Sequence, residues 1–285
     1  MRWQSGRDSD NVEDRRGSGG GGGGGFRIGL FGTAIIVIAG WFMGINPIQM
    51  LGIVGGANAI FGTSGSTENS APLNDEGGKF ASKVLAQTED IWNPIFKQLG
   101  RQYVEPKLVL FNESTDSACG YSSAATGPFY CPADQKVYVD LSFFKELAQL
   151  GGKGDFAQAY VLGHEIGHHV QNLLGTSDKV TQMQAQVNQR DSNLLSVALE
   201  LQADCYAGVW AHHANASMHI LESGDIEEAV SAAASIGDDR LQKMSGRHIN
   251  PDSFTHGSSR QRMEWLQRGL QSGDLRQCDT FSQLR

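Results

Sequence analysis

The amino-acid sequence predicts a mainly helical α+β domain with a small sheet, preceded by one transmembrane helix. Three observations lead to this class. No charged residue occurs in residues 28–67. Residues 107–111 and 136–141 are short runs of β-branched, aromatic and other apolar residues, which is typical of strands. In residues 79–100 and again after residue 155, apolar side chains recur with a helical period.

Glycine is distributed unevenly along the 285 residues. Half of the 36 glycines fall in residues 1–70, and residues 19–25 are seven consecutive glycines. No Gly-x-y period accompanies them and proline is rare, which excludes a collagen-like chain. A glycine-rich segment beside charged residues buries little apolar surface. We therefore expect residues 1–27 to form a disordered cytoplasmic tail.

Residues 28–45 comprise about 18 apolar or small residues, close to the ~20 that a helix needs to cross a bilayer. An uncleaved transmembrane helix is the favoured interpretation. A cleaved signal peptide, with Ala-Asn-Ala at 57–59 as a weak cleavage site, and a buried core helix stay open as alternatives. Residues 46–75 are predicted to be a flexible linker, and residues 76–285 a folded domain.

The orientation follows from the basic residues beside this segment. Five arginines precede it, whereas no lysine or arginine follows until Lys79. The positive-inside rule then predicts a cytoplasmic N-terminus and a domain on the outer side of the membrane. The five arginines are Arg2, Arg7, Arg15, Arg16 and Arg27.

The predicted outer part is acidic and contains every cysteine. After Thr67 there are 18 basic and 27 acidic residues, so no nucleic-acid partner is expected. An even number of cysteines in an oxidising compartment favours disulfides. Three connectivities are possible for Cys119, Cys131, Cys205 and Cys278, and we favour Cys119–Cys131 and Cys205–Cys278. Free thiols are the alternative, and the absence of a Cys-x-x-Cys pair argues against a four-cysteine zinc site.

Six further segments complete the predicted domain. Residues 119–131, with two glycines and one proline, are predicted to be a loop, and the polar residues 173–193 a solvated connection or a lid. The helices are expected at 79–100, 142–151, 155–172 and 194–211.

His164, Glu165 and His168 form a His-Glu-x-x-His motif in the helix that starts after Asp155. Residues four apart share one face of a helix, so both imidazoles can bind one Zn²⁺. Glu165 can then reach an activated water as general base. Gly163 and Gly167 cost ~1 kcal/mol each relative to alanine in this helix. We therefore expect another element, most simply the helix with Glu200, to approach closely.

A third ligand is expected, because catalytic zinc usually has three protein ligands. Glu200 and Asp204 share a face of an otherwise apolar helix, where unpaired acids are costly. Glu200 is predicted to bind the metal, and Asp204 to accept the free N–H of a ligand histidine. His212 and His213 are the alternative third ligands.

These motifs resemble the gluzincin metallopeptidases, including the HtpX-like membrane peptidases. They are more similar still to the bacterial family described as "putative neutral zinc metallopeptidase". The resemblance rests on the His164–His168 and Glu200–Asp204 motifs, and on four longer segments. They are Gly-Pro-Phe-Tyr-Cys-Pro at 127–132, Asp-Leu-Ser-Phe-Phe at 140–144, Glu-Leu-Gln-Ala-Asp-Cys-Tyr-Ala-Gly at 200–208 and Thr-His-Gly-Ser-Ser at 255–259 with Gln261 and Arg262.

The resemblance implies a zincin-like fold and a Zn²⁺-dependent endopeptidase in the bacterial inner membrane, with its catalytic domain periplasmic or extracellular. Its substrate, a protein or peptide, would lie extended along an edge strand, at 124–130 or 136–140. His256 is expected to stabilise the oxyanion, and Arg262 to assist it or to pair with an acid. The alternative is a non-catalytic, zinc-containing binding module tethered to the membrane.

Overall fold

A computed structural model describes residues 1–16 and 73–284 and has the expected class, a mainly helical α+β fold with small sheets. Eight α-helices are present in this part of the chain. They are α1 (Glu76–Gln98), α2 (Phe143–Leu150), α3 (Asp155–Leu174), α4 (Thr176–Gln184), α5 (Gln189–Met218), α6 (Asp225–Ser235), α7 (Asp238–Met244) and α8 (Ser259–Ser272).

Six short strands form two sheets. The larger sheet has the order β1-β2-β6-β5, with β1, β2 and β6 parallel and β5 antiparallel at the edge. The smaller is a β3–β4 hairpin. The strands are β1 (Val12–Asp14), β2 (Lys107–Phe111), β3 (Ser114–Ser117), β4 (Gly120–Ser123), β5 (Phe129–Cys131) and β6 (Lys136–Asp140).

Two predicted loops contain regular structure. Residues 119–131 hold β4 and β5, because strand pairing there supplies hydrogen bonds that composition does not reveal. Residues 173–193 hold all of α4 and the first turn of α5. Gly175 ends α3 in a left-handed conformation, and the Asn188 side chain caps α5 by accepting from the backbone N–H of Asp191.

The helices α3 and α5 pack against each other where the sequence places glycines in α3. A methyl group at Gly167 would lie 2.8 Å from the carbonyl oxygen of Ala203, and one at Gly163 2.9 Å from the Trp210 ring. Both neighbours belong to α5, so the expected close approach of the two helices is confirmed. It brings the His-Glu-x-x-His face of α3 onto Glu200 and Asp204.

Residues 1–16 differ from the predicted disordered tail, since they are part of the folded domain. Strand β1 pairs in parallel with β2, from Val12 beside Leu108 to Asp14 beside Leu110. Trp3 is 9% exposed and packs edge-on against Phe80. The composition was misleading here because this short strand is stabilised by β2, about a hundred residues further along the chain.

The same finding contradicts the predicted orientation in a membrane. A chain that crosses once between residue 16 and residue 73 cannot have its first strand in the sheet of the domain on the other side. The predicted span 28–45 itself lies outside the described residues, as does most of the linker 46–75. In residues 1–16 and 73–284, no helix is long and apolar enough to span a bilayer.

Both favoured disulfides are present. Cys119 bonds to Cys131 and Cys205 to Cys278, and the described part of the chain has no free cysteine. The first holds the β3–β4 hairpin to strand β5. The second attaches the C-terminal segment to the middle of α5, beside Asp204.

Candidate metal centre

The helix α3 presents His164 and His168 one turn apart on the face that meets α5. Their Nε2 atoms are 3.1 Å from each other. His164 is 7% exposed, and the His168 side chain is 18% exposed. Both rings are therefore at the bottom of a site that solvent reaches only in part.

Glu200 of α5 completes a cluster of three potential ligands. Its Oε2 lies 3.3 Å from His164 Nε2, and its Oε1 lies 3.3 Å from His168 Nε2. Four ligands arranged tetrahedrally at 2.0–2.1 Å from zinc are about 3.3–3.4 Å apart. The two imidazole nitrogens and the Glu200 carboxylate thus have the separations and the chemistry that suit Zn²⁺.

On the outer side of His164 lies a buried carboxylate. Asp204 Oδ1 is 2.8 Å from His164 Nδ1, and the Asp204 side chain is inaccessible to solvent. The carboxylate can only accept at this bond, so Nδ1 carries a proton and Nε2 is the nitrogen that faces Glu200. Burial opposes the charged imidazole, but Asp204 and Glu200 raise the pKa of His164 to about 10. The site therefore favours a positive charge between these side chains.

Asp204 is itself neutralised by Arg262 of α8. The guanidinium donates from Nε to Oδ2 and from Nη2 to Oδ1, both at 2.9 Å, and Arg262 is 2% exposed. The Tyr160 hydroxyl donates to Asp204 Oδ1 at 2.6 Å. Burial would raise the pKa of Asp204, but Arg262 and His164 lower it to about 2. Of the two roles expected for Arg262, the structure shows the acid partner, since its guanidinium pairs with Asp204 behind His164.

On the outer side of His168 lies a series of hydrogen bonds between uncharged groups, which the sequence did not predict. His168 Nδ1 is 2.9 Å from Gln171 Oε1. The Gln171 amide nitrogen donates to the Leu199 carbonyl at 2.7 Å and to Gln202 Oε1 at 3.1 Å. Gln202 in turn donates to the Cys278 carbonyl at 2.9 Å. These two donations direct the Gln171 oxygen to His168, so Nδ1 is protonated and Nε2 is free for a metal.

Glu165 follows the first ligand and is 7% exposed. Burial raises the pKa of Glu165 above its ordinary value, and the neighbouring His164 and His168 oppose that shift. A carboxylate in such surroundings is a stronger base than one in water. Its position beside the ligand cluster is the one expected of a general base in this motif.

His256 lies in the loop before α8 and is held by Asp238, a second residue that the sequence reading missed. Asp238 Oδ2 accepts from the backbone N–H groups of Thr255, His256 and Gly257, at 2.7–3.0 Å. Asp238 Oδ1 is 3.3 Å from His256 Nδ1. Burial would raise the pKa of Asp238, but His256 and these amides lower it. Burial would raise the pKa of Glu200, but the nearby His168 and His256 lower it well below its ordinary value.

His212 and His213 do not join the ligand cluster. His212 Nδ1 donates to the Leu270 carbonyl and His213 Nε2 to the Gly273 carbonyl, each at 2.8 Å. Both therefore hold α8 to α5. Glu200 is the third residue whose ligand atom meets those of His164 and His168 in the described part of the chain.

Of the two segments expected to bind a substrate, one contains an edge of the sheet. Strand β6 (Lys136–Asp140) pairs with β2 on one side and β5 on the other, so its backbone groups are occupied. Strand β5 pairs with β6 alone. Its Tyr130 hydroxyl is 2.9 Å from Nδ1 of His169, the residue after His168. Strand β5 thus lies next to α3, and its other edge pairs with no strand in the described part of the chain.

Comparison with known proteins agrees with this geometry. The chain is 48% identical over 290 residues to the uncharacterized protein YpfJ of Escherichia coli K12, an alignment that covers 99% of each chain. It is 40% identical over 218 residues to the uncharacterized proteins Mb2605 of Mycobacterium bovis and Rv2575 of Mycobacterium tuberculosis, covering 73% of each chain. No solved structure matches. The family model described as "Putative neutral zinc metallopeptidase" matches residues 1–281, and the chain belongs to this zinc peptidase family.

Proposed function

We propose that this protein is a membrane-attached, zinc-dependent endopeptidase, with His164, His168 and Glu200 as ligands and Glu165 as general base. The observation that carries the proposal is the convergence of two imidazole nitrogens and one carboxylate, with separations of 3.1–3.3 Å, beside a buried glutamate. Zinc bound there would act as a Lewis acid toward a water molecule and a peptide carbonyl. A purely structural site is usually closed by a fourth protein ligand and has no use for a base.

The other side chains of the site are proposed to transfer the proton, stabilise the oxyanion and orient the ligand histidines. Glu165 accepts a proton from the attacking water and returns it to the leaving amide nitrogen. His256, oriented by Asp238, donates a hydrogen bond to the carbonyl oxygen as negative charge develops on it. Asp204 and Gln171 hold the two ligand imidazoles in the tautomer that presents Nε2. Arg262 keeps Asp204 ionised, so its role is that of a positioning residue.

The substrate is proposed to be a protein or peptide in extended conformation. Strand β5 has a free edge next to α3, and a substrate strand adding to it would bring a peptide bond to the ligand cluster. Strand pairing of this kind recognises the substrate backbone and depends little on its side chains. This is suitable for an endopeptidase that acts on unfolded proteins. The domain has a net negative charge, and no nucleic-acid partner is proposed.

Membrane attachment and an oxidising compartment are also proposed, on separate grounds. Residues 28–67 contain no charged side chain. Such a long uncharged segment is typical of a membrane-contacting sequence, whereas a linker in water can contain charged residues. The domain has two disulfides, which are typical of exported proteins. A periplasmic or extracellular site is the simplest placement.

Metal analysis of the purified full-length chain tests the proposed site. We expect about one zinc per chain in the wild type, and loss of that zinc in His168→Ala. His212→Ala, which removes a histidine that bonds Leu270, is the matched control and should keep its zinc. A wild-type protein purified under metal-replete conditions without zinc would overturn the proposal. Zinc without hydrolysis of any unfolded protein would favour the binding module instead.

A further inference from the structure

Residues 1–16 are a structural part of the peptidase domain. The backbone N–H of Leu108 donates to the carbonyl of Asn11, and that of Arg15 to the carbonyl of Leu110, both at 2.8 Å. These bonds continue the β1–β2 pairing at both ends of the strand. The N-terminal segment therefore closes the free side of β2 and protects it as an edge.

The N-terminal segment also supplies the partners of a buried acid in α1. Glu89 is 1% exposed. Its carboxylate accepts from Ser9 Oγ at 2.5 Å, from Arg7 Nη2 at 2.6 Å and from Asn11 Nδ2 at 2.9 Å. A buried carboxylate is costly without such partners. The sequence of α1 thus requires residues 7–11 to be docked on the domain.

The two ends of the segment 17–72 meet at one ion pair. Arg16 donates from Nη1 and Nη2 to the two carboxylate oxygens of Asp75, at 3.0 and 2.7 Å. Asp75 is also the N-cap of α1, accepting from the backbone N–H of Gly78. Arg16 is further held by Asp14 of β1. The chain therefore leaves the domain and rejoins it at the same place.

We infer that the N-terminus and the peptidase domain lie on one side of the membrane. This rests on the membrane attachment proposed above. If the chain crossed the bilayer once between Arg16 and Asp75, these two residues would be separated by the hydrocarbon thickness, about 30 Å. Arg16 and Asp75 are in hydrogen-bond contact. The face of the domain that bears this ion pair is then the face turned toward the lipid.

The ion pairs also explain why the positive-inside rule fails for this chain. Arg7 pairs with Glu89 and Asp90, Arg15 with Glu13, and Arg16 with Asp14 and Asp75. These arginines are neutralised within the fold, and so they do not report a cytoplasmic flank. The rule applies to basic residues of loops, not to those that a folded domain uses.

Thiol labelling of the full-length chain in sealed vesicles tests the inference. Ser5→Cys and Gln271→Cys place one thiol on the exposed N-terminal segment and one on exposed α8. A membrane-impermeant maleimide is added to right-side-out and to inside-out vesicles, with and without detergent. The wild type is the matched control, because its four cysteines form two disulfides. Both variants should keep the wild-type zinc content.

We expect both thiols to be labelled in the same vesicle orientation and both to be protected in the other. Labelling of the two thiols from opposite sides would overturn the inference. Recovery of the chain in the soluble fraction after alkaline carbonate extraction would overturn the membrane attachment on which the inference rests. Neither outcome touches the peptidase proposal, which depends on zinc content and on hydrolysis.

Discussion

The two histidines of the candidate metal centre are held by outer partners of opposite character. His164 is oriented by Asp204, a fully buried carboxylate that needs Arg262 as its counter-ion. His168 is oriented by the amide of Gln171, within a neutral chain that ends at the Cys278 carbonyl. Each arrangement fixes a tautomer, but only the first one introduces buried charge.

Both partners orient a histidine, but the loss of a charged partner and the loss of a neutral one should have effects of different size. A buried ion pair contributes little net stability, yet removing one partner leaves an uncompensated charge. A neutral hydrogen bond is worth about 1 kcal/mol, and its loss is correspondingly mild. The His164 side should therefore be sensitive to substitution and the His168 side tolerant. The following predictions, in order of decreasing effect, test that contrast.

The largest effect is expected from Arg262→Met, which keeps a long side chain but removes the counter-ion of Asp204. The free energy of unfolding should fall by about 3–5 kcal/mol, because a buried carboxylate loses its charged partner. Urea unfolding of the purified chain with a chelator present, so that metal binding does not contribute, measures this.

Arg260→Met is the matched control on the same helix. Arg260 pairs with Glu264 on the surface, and its side chain is 83% exposed. Its substitution should leave the free energy of unfolding close to that of the wild type, because an exposed ion pair contributes little. Equal losses for Arg262→Met and Arg260→Met would contradict the assignment of Arg262 as the counter-ion.

Asp204→Asn should weaken zinc binding about 10- to 100-fold, a typical effect of losing the outer partner of a ligand histidine. The substitution keeps the shape of the side chain but removes the charge that faces His164 Nδ1. Competition with a chelating dye measures the affinity. Asp191→Asn, in the exposed first turn of the same helix, should leave it unchanged. An unchanged affinity in Asp204→Asn would exclude a role of this carboxylate at the metal.

Gln171→Met should have the smallest effect, a loss of about fivefold in zinc affinity, equivalent to about 1 kcal/mol for one neutral hydrogen bond. The same dye competition measures it. Gln158→Met, on the same helix and half-buried, is the control and should bind zinc as the wild type does. If Gln171→Met lost as much affinity as Asp204→Asn, charge would not distinguish the two sides.

The sequence predicted those parts of the site that depend on spacing within one helix. His164 and His168 are four apart, as are Glu200 and Asp204, so each pair shares a helix face whatever the tertiary structure. Both disulfides were predicted as well, because four cysteines allow few connectivities.

Contacts between distant segments could not be predicted in this way. Asp238 lies beside His256 because its carboxylate accepts three backbone N–H bonds from residues 255–257. No local sequence pattern indicates that Asp238 has this role. Gln171 resembles any polar residue of a helix, although it is fully buried. Residues 1–16 have the composition of a flexible tail, and they fold because β2 and Glu89 supply partners from far along the chain.

Hydrolysis of an unfolded protein by Glu165→Gln, compared with the wild type at equal zinc content, tests the central claim most directly. The amide is close in size to the carboxylate but cannot accept a proton. We predict that the variant keeps about one zinc per chain and loses activity by at least about 10²-fold, the usual contribution of a general base. A zinc-loaded variant that cleaves at the wild-type rate would contradict the assignment of Glu165.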